Sequence, residues 1–255
     1  MSTGSDSRFA LRGKAAVITG AGGGIGRAIS LAFARAGASV ACVDLKPGNA
    51  AETARLAGER ALAIQCDVSS ESETRDAVER AAKAFGALHI LVNGAAMTDP
   101  SATVLDLDLA AWNEVFSVNV GGAFLMSRWT IPHIAAAGGG SIIHIASQLG
   151  TVGTPGRVAY CSTKGALITM AKAMAADHAA QGIRVNTLSP GGIETDRLLR
   201  FGSMENAREV LGSKHLMKRL GQPEEIAAAA LFLASEASSF MTGADLRVDG
   251  GYNAV

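Results

Sequence analysis

Tyr160 and Lys164 stand four residues apart, a spacing that on a helix puts both side chains on one face. A tyrosine ordinarily titrates at about 10, too high for a base at neutral pH, and an ammonium beside the phenol stabilises the phenolate. Such a pair can move a proton to or from a substrate oxygen, and the Ser147 hydroxyl offers that oxygen a hydrogen bond. On its own, Y-x-x-x-K also arises in purely structural helices.

A second constellation can seat an anion. Thr19-Gly20-Ala21-Gly22-Gly23-Gly24-Ile25-Gly26 lies between the apolar run 15–18 and an Ala-rich stretch holding Ile29, Leu31 and Phe33. A strand that turns into a helix through glycines leaves N–H groups bare at the helix N-terminus, where the dipole favours a pyrophosphate. The spacing T-G-x-x-x-G-x-G, carried by Gly20, Gly24 and Gly26, differs from the common G-x-G-x-x-G. Asp44 follows the last glycine by 44 − 26 = 18 residues, where an acidic side chain holds a ribose hydroxyl. A carboxylate there repels a 2′-phosphate by on the order of a few kcal/mol at an effective dielectric of about 20. NAD is therefore expected rather than NADP, with Lys46 close enough in sequence to soften the repulsion.

Alternating segments must position these groups. Strands are expected at 15–19, 39–44, 61–65, 90–93, 141–146, 184–188 and 245–248, with helices between them. This pattern predicts a single-domain, Rossmann-like, doubly wound sheet of about seven parallel strands with helices on both faces. Ser70 with Glu73 is a capping pattern before a helix running to about residue 85, and Pro223-Glu224-Glu225 suits the first turn of a helix through 234. Long helices are expected over 108–137 and 160–181. The apolar run 226–234 either packs deep within one sheet-helix layer or forms a homo-oligomer interface.

Residues 1–10 are expected to be a flexible tail and residues 11–255 one catalytic domain. With 23 basic and 23 acidic residues the formal charge is zero, which gives no argument for nucleic acid or an anionic membrane. Cys42, Cys66 and Cys161 lack CxxC spacing and read as reduced thiols of a cytoplasmic protein. No metal is expected. No apolar run approaches the length of a membrane span.

Read together, the motifs resemble those of the short-chain dehydrogenase/reductase family, from Leu11 to Tyr252. They are the glycine turn, Asp67-Val68, Asn93-Gly94-Ala95, Asn119, Ser147, Tyr160-x-x-x-Lys164, Pro190-Gly191 and Val248-Asp249-Gly250-Gly251. The resemblance implies that Tyr160 exchanges a proton with the substrate oxygen while a hydride moves between its carbon and the nicotinamide. Lys164 would assist Tyr160 and hold the nicotinamide ribose, Ser147 would bond the substrate oxygen, and Asn119 would position a water. It also implies a cofactor held by Gly20, Gly24, Ile25, Gly26, Asp44, Leu45, Asp67, Val68, Asn93, Ala95, Tyr160, Lys164, Pro190, Gly191, Ile193 and Thr195. Gly23 stands where an NADP-preferring pattern places a basic residue.

Two positions depart from the family. Val92-Asn93-Gly94-Ala95-Ala96 replaces the frequent Asn-Asn-Ala-Gly, and His144, expected to be a satisfied strand histidine, replaces a frequent Asn. Cys161 is expected to be packing. Met97, Gln148, Leu149 and Thr154 are candidates to touch substrate, under a lid at about 191–220 whose six basic and four acidic residues decide little by net charge. The expected activity is NAD-dependent hydride transfer to or from a secondary alcohol or ketone, by a chain that pairs with further copies of itself, as a tetramer. The alternatives are an NADPH-dependent 3-oxoacyl-type ketoreductase and a non-catalytic dinucleotide-binding module.

Overall fold

Apolar runs that bury both faces read as strands of the sheet interior, and shorter mixed runs as its edges. In the computed structural model, which describes residues 7–254, they become β1 (Ala15–Thr19), β2 (Ser39–Asp44), β3 (Ala61–Gln65), β4 (Ile90–Asn93), β5 (Gly140–Ile145), β6 (Ile183–Pro190) and β7 (Asp245–Val248). The helices between them are α1 (Gly24–Arg35), α2 (Pro47–Ala57), α3 (Glu71–Phe85), α4 (Leu109–Phe116), α5 (Gly122–Ala136), α6 (Val158–His178), α7 (Met204–Ala207) and α8 (Pro223–Ala234). All neighbours are parallel in one sheet of order β3-β2-β1-β4-β5-β6-β7. The strand order reverses between β1 and β4, the place where an open α/β sheet forms a crevice at its carboxyl edge.

Period-two alternation divides each strand between two cores. Ala16 and Ile18 of β1 join Ile29 and Phe33 of α1 and Ile226 and Leu233 of α8 on one face. Ala15 and Val17 join Val78 of α3, Met126 and Ile134 of α5 and Ala171 of α6 on the other. Most of the apolar run at 226–234 is thus spent inside the chain, with Ile226, Ala227, Ala230, Leu233 and Ala234 buried.

The carboxyl ends of β1 and β4 are clamped together. The Thr19 hydroxyl oxygen accepts from the N–H groups of Gly94 at 3.0 Å and Ala95 at 3.1 Å, and its proton faces the Val92 carbonyl at 3.4 Å. The approach requires glycine on both sides: a Cβ on Gly94 would lie 2.7 Å from the Thr19 carbonyl oxygen, and one on Gly20, whose φ is +67°, 2.9 Å from the Ala95 backbone.

Several elements differ from the sequence-based expectations. β5 begins at Gly140 and β6 reaches Pro190, because ladder hydrogen bonds continue past the apolar residues that announce them. The helix expected over 108–137 is interrupted by a wider π turn at Ser117–Gly121. Ser70 accepts from Glu73 N–H at 3.4 Å, but the Glu73 carboxylate reaches back to Asp67 N–H at 2.9 Å, so the cap is anchored one strand end further upstream. Of the expected flexible tail, residues 1–6 lie outside the described residues, and Ser7–Phe9 form a 3-10 turn beside Glu236–Ser238. Among the described residues no helix is long and apolar enough to cross a membrane.

Replacing Thr19 by Val preserves shape but leaves two N–H groups without an acceptor. Thr19→Val is expected to lower stability by about 1–3 kcal/mol, read as a fall in the urea midpoint at unchanged slope. An unchanged midpoint would show that the clamp does not hold the two strand ends.

Candidate active site

The carboxyl edge of the sheet opens into a cleft of about 620 Å³. One end is the glycine turn, with Gly20, Gly24, Ile25 and Gly26 in the wall and Asp44 at its margin. The first amides of α1 are left bare: the N-cap is Gly23, no side chain caps it, and no acidic residue stands in the first turn. The turn is also fixed from behind. A Cβ on Gly26 would run into the Gly20 carbonyl oxygen, and Arg27 bonds the Gly22 carbonyl and, at 2.9 Å, the Thr53 hydroxyl. Bare amides at a helix N-terminus in a cradle without side chains fit a dinucleotide pyrophosphate.

Asp44 reaches this turn directly. One carboxylate oxygen accepts from Gly22 N–H at 2.8 Å and the other from Lys46 N–H at 2.9 Å. A Cβ on Gly22 would sit 2.7 Å from that carboxylate, so the residue must be glycine for the acid to approach. Each oxygen keeps a further lone pair, and Asp44 lines the cleft. Among the described residues no ion pair joins the Lys46 ammonium to Asp44, so its offset of the carboxylate charge is not built into the resting structure.

Pro190, Gly191, Ile193 and Thr195 continue the wall beyond β6. The Thr195 methyl covers Gly24, where a Cβ would meet it at 2.9 Å. Segment 191–220 is organised by Asp196–Phe201, Met204–Ala207 and Arg208–Gly212, three short helical turns. His215 straps it down, accepting Gly192 N–H on Nε2 at 3.1 Å and donating from Nδ1 to the Leu211 carbonyl at 2.8 Å. That pairing requires the neutral ring.

Ser147, Tyr160 and Lys164 meet in the middle of the cleft. Lys164 is 3% exposed and donates to the Ile145 carbonyl at 2.7 Å. Its Nζ lies 5.5 Å from the centre of the Tyr160 ring, as does the guanidinium carbon of Arg197. Burial, and then the Arg197 charge, pull the Lys164 pKa down to about 7. The Ser147 oxygen accepts from Leu149 N–H at 3.2 Å and faces the cleft. The helix carrying Tyr160 is capped from another loop: buried Asp99 accepts from Ala159 N–H at 3.0 Å and Tyr160 N–H at 3.2 Å.

Asn119 lies behind this wall, on the π turn. Its carboxamide takes Met97 N–H at 2.8 Å and donates to the Met97 carbonyl and the Thr163 hydroxyl, each at 3.0 Å. Thr163 in turn donates to the Tyr160 carbonyl at 2.8 Å. Met97 therefore brackets Asn119 with its backbone rather than lining the cleft.

Of the remaining candidates, Gln148, Leu149 and Thr154 line the cleft, and the buried Gln148 Oε1 has no partner among the described residues. Leu45 is exposed beside Asp44. Asp67 is occupied by the N–H and hydroxyl of Ser69, at 2.9 and 2.7 Å, and Val68 packs against Gly122. Asn93 turns its amide into the α5 packing, toward Ser127 at 3.2 Å and His144 Nδ1 at 3.0 Å, while Ala95 meets Thr19 through its N–H.

His144 is wholly buried, and burial followed by the Lys164 charge lowers its pKa to about 4. Only Nδ1 is satisfied; Nε2 has no partner among the described residues, so the expected satisfied histidine is satisfied on one side. Cys42 and Cys66 are pushed up to about 11 and 12, chiefly by burial, and Cys161 is half-buried. Sequence reasoning passed over Arg27, Asp99, His215 and Tyr252. Only Arg27, inside the glycine motif, had a local signal.

A family profile described as Enoyl-(Acyl carrier protein) reductase matches residues 20–253. The chain is 39% identical over 244 residues to a cis-4-hydroxycyclohexanecarboxylate dehydrogenase of Sinomonas cyclohexanicum, covering 95% of this chain and 97% of that protein. It is 39% identical over 251 residues to a D-threitol dehydrogenase of Mycolicibacterium smegmatis, covering 97% and 95%. A crystal structure of a short-chain type dehydrogenase/reductase from Mycobacterium marinum superposes with a TM-score of 0.91 at 35% identity, over 98% of this chain and 99% of that one.

The Lys164 environment generates a stability signature. With a folded pKa of about 7 against an ordinary 10.5, the unfolded chain binds the extra proton between those values, so this group makes stability rise with pH across that window. Relative to Lys164→Met, the wild-type protein without ligand is expected to gain on the order of 1 kcal/mol per pH unit from about pH 7 to 9. Parallel stability curves in urea would show that Lys164 is not desolvated.

Proposed function

This chain belongs to the short-chain dehydrogenase/reductase family and is an oxidoreductase acting on alcohol CH–OH groups; from that premise we propose that it interconverts a secondary alcohol and a ketone with NAD, using Tyr160 as the acid/base. The observation that carries the reading is the Tyr160 ring in the cleft wall with Lys164 and Arg197 each 5.5 Å from its centre. When bound, the nicotinamide supplies the hydride acceptor. In the oxidation direction the Tyr160 oxygen takes the hydroxyl proton as hydride leaves the carbinol carbon, and the proton then passes to water.

Lys164 stabilises the phenolate, and the phenolate in turn keeps a proton on an ammonium whose burial otherwise favours its loss. Ser147 donates its hydrogen to the substrate oxygen. Gln148, buried with a free acceptor in the wall, is available to a substrate hydroxyl. Asn119 fixes the backbone of residue 97 and the first turn of α6 through Thr163, and from there positions the water to which Tyr160 gives up its proton.

Asp44, already bonded to Gly22, supports NAD, because a 2′-phosphate would meet its charge at the cleft margin. The same contact weighs against the alternative of an NADPH-dependent 3-oxoacyl-type ketoreductase. The relatives named for a hydroxycyclohexanecarboxylate and for D-threitol support an alcohol as substrate. We also propose a cytoplasmic homotetramer, supported by apolar Leu105, Leu109 and Phe124 left in water at 91%, 70% and 51% exposure.

Tyr160→Phe is expected to lower turnover roughly 10²–10⁴-fold while NADH binding, followed by fluorescence, stays within a factor of about two. Near wild-type turnover would remove Tyr160 from the chemistry. Asp44→Ala is expected to weaken NAD and to improve NADP, shifting the ratio of their kcat/KM values by about tenfold or more toward NADP. A wild-type enzyme that already prefers NADP would overturn the cofactor assignment.

A further inference from the structure

Beyond Tyr160 the cleft changes character. Leu149, Phe201, Val210 and Leu211 make an apolar wall, and Arg157, Arg197, Arg200 and Lys214 stand around it. In a chain of zero formal charge, four cations on one wall need an explanation. Arg157 has one: it bonds the Asp99 carbonyl and lies 3.6 Å from the Asp99 carboxylate, whose other oxygen is committed to the N-terminus of α6. Arg197 and Arg200 have no carboxylate. Among the described residues neither makes an ion pair or a hydrogen bond, and each rests on an aromatic ring, Arg197 on Tyr160 and Arg200 on Phe201. Arg197, Arg200 and Lys214 are exposed to the cleft solvent, and partial burial and then repulsion from Arg157 and Arg197 lower the Arg200 pKa. Asp196, the acid nearest in sequence on this wall, is exposed and unpaired.

We propose that Arg197 and Arg200, supported by Lys214, bind an oxyanion carried by the substrate, so that the alcohol oxidised here is a hydroxy acid with an apolar carbon skeleton. The inference rests on the alcohol-oxidising reading of Tyr160 and adds the charge of the molecule being oxidised. A guanidinium presents two parallel N–H groups to a carboxylate, and the Arg197 fork rests on the same ring that receives the hydroxyl proton, while Arg200 rests on the neighbouring Phe201. The carboxylate would neutralise the cluster while Leu149, Phe201, Val210 and Leu211 cover the skeleton. Arg197 so occupied would also orient the reacting carbon over Tyr160, making it a specificity-determining residue.

The test uses the whole enzyme with NAD and a series of secondary hydroxy acids of increasing chain length and ring size, each beside its carboxamide. For the best acid, kcat/KM should exceed that of its carboxamide by about tenfold or more. The ratio should collapse toward one in Arg197→Met and in Arg200→Met, mainly through KM, with NADH affinity within about twofold of wild type. Added sulfate should compete with the acid and not with the carboxamide. Equal use of acids and carboxamides would overturn the proposal while leaving the dehydrogenase reading intact, as would a ratio that survives both substitutions. Loss of NADH affinity in the variants would reassign the arginines to the cofactor and overturn it too. If no member is oxidised, calorimetry of the same acids against the NADH-loaded enzyme decides: binding lost in the variants supports the anion site while the secondary-alcohol reading fails, and absence of binding overturns both.

Discussion

A lysine ammonium placed almost wholly out of water is the constraint to which this cleft answers. Desolvation of such a group is costly, and one carbonyl, that of Ile145, is its only hydrogen-bond partner among the described residues. On the function proposed above, a phenolate and a cofactor ribose would offset that cost; the location of the ammonium is set by backbone. Ile145 ends β5, Lys164 lies one turn past Tyr160 on α6, and Asp99 holds the start of that helix from a separate loop. Strand end, helix start and loop thus converge on one ammonium, and the tyrosine ring follows from that convergence.

The glycine turn solves the opposite problem, leaving polar groups unsatisfied on purpose. Bare amides at the start of α1 are maintained by Arg27 and Thr53 behind the turn and by the Thr19 clamp beneath it. The two ends of the cleft are therefore electrostatically unlike: one offers neutral donors beside a carboxylate, the other a lysine and unpaired guanidinium groups. A long ligand with unequal ends can bind in one orientation only.

Five strands begin and end where expected; β1, β2 and β4 were legible because burial on both faces writes an apolar run, whereas the edge strand β7, Asp-Leu-Arg-Val, is only half-buried. The residues at the cleft centre were legible because spacing alone puts Tyr160 and Lys164 on one face. What could not be read was direction. Asn93 sits at a strand end where alternation sends its amide into α5, and Met97 contributes its backbone to Asn119. The π turn has no hydrophobic period of its own, so 108–137 read as one helix. Charge counting over 191–220 hid Arg197 and Arg200, because Glu194 is spent on Arg208 on the far side of the segment.

One wall of the cleft is finished from the far end of the chain. Asn253 donates to the Gln148 carbonyl at 3.0 Å and to the Thr151 hydroxyl at 2.7 Å, and Tyr252 lines the cleft beside His215. These residues follow β7, the edge strand of the sheet, in the turn beyond Val248. A change at residue 253 therefore reaches the loop that carries Gln148 and Thr151 without touching β5 or α6. The shape of the cleft at Gln148 is thus set jointly by two segments more than a hundred residues apart in the chain.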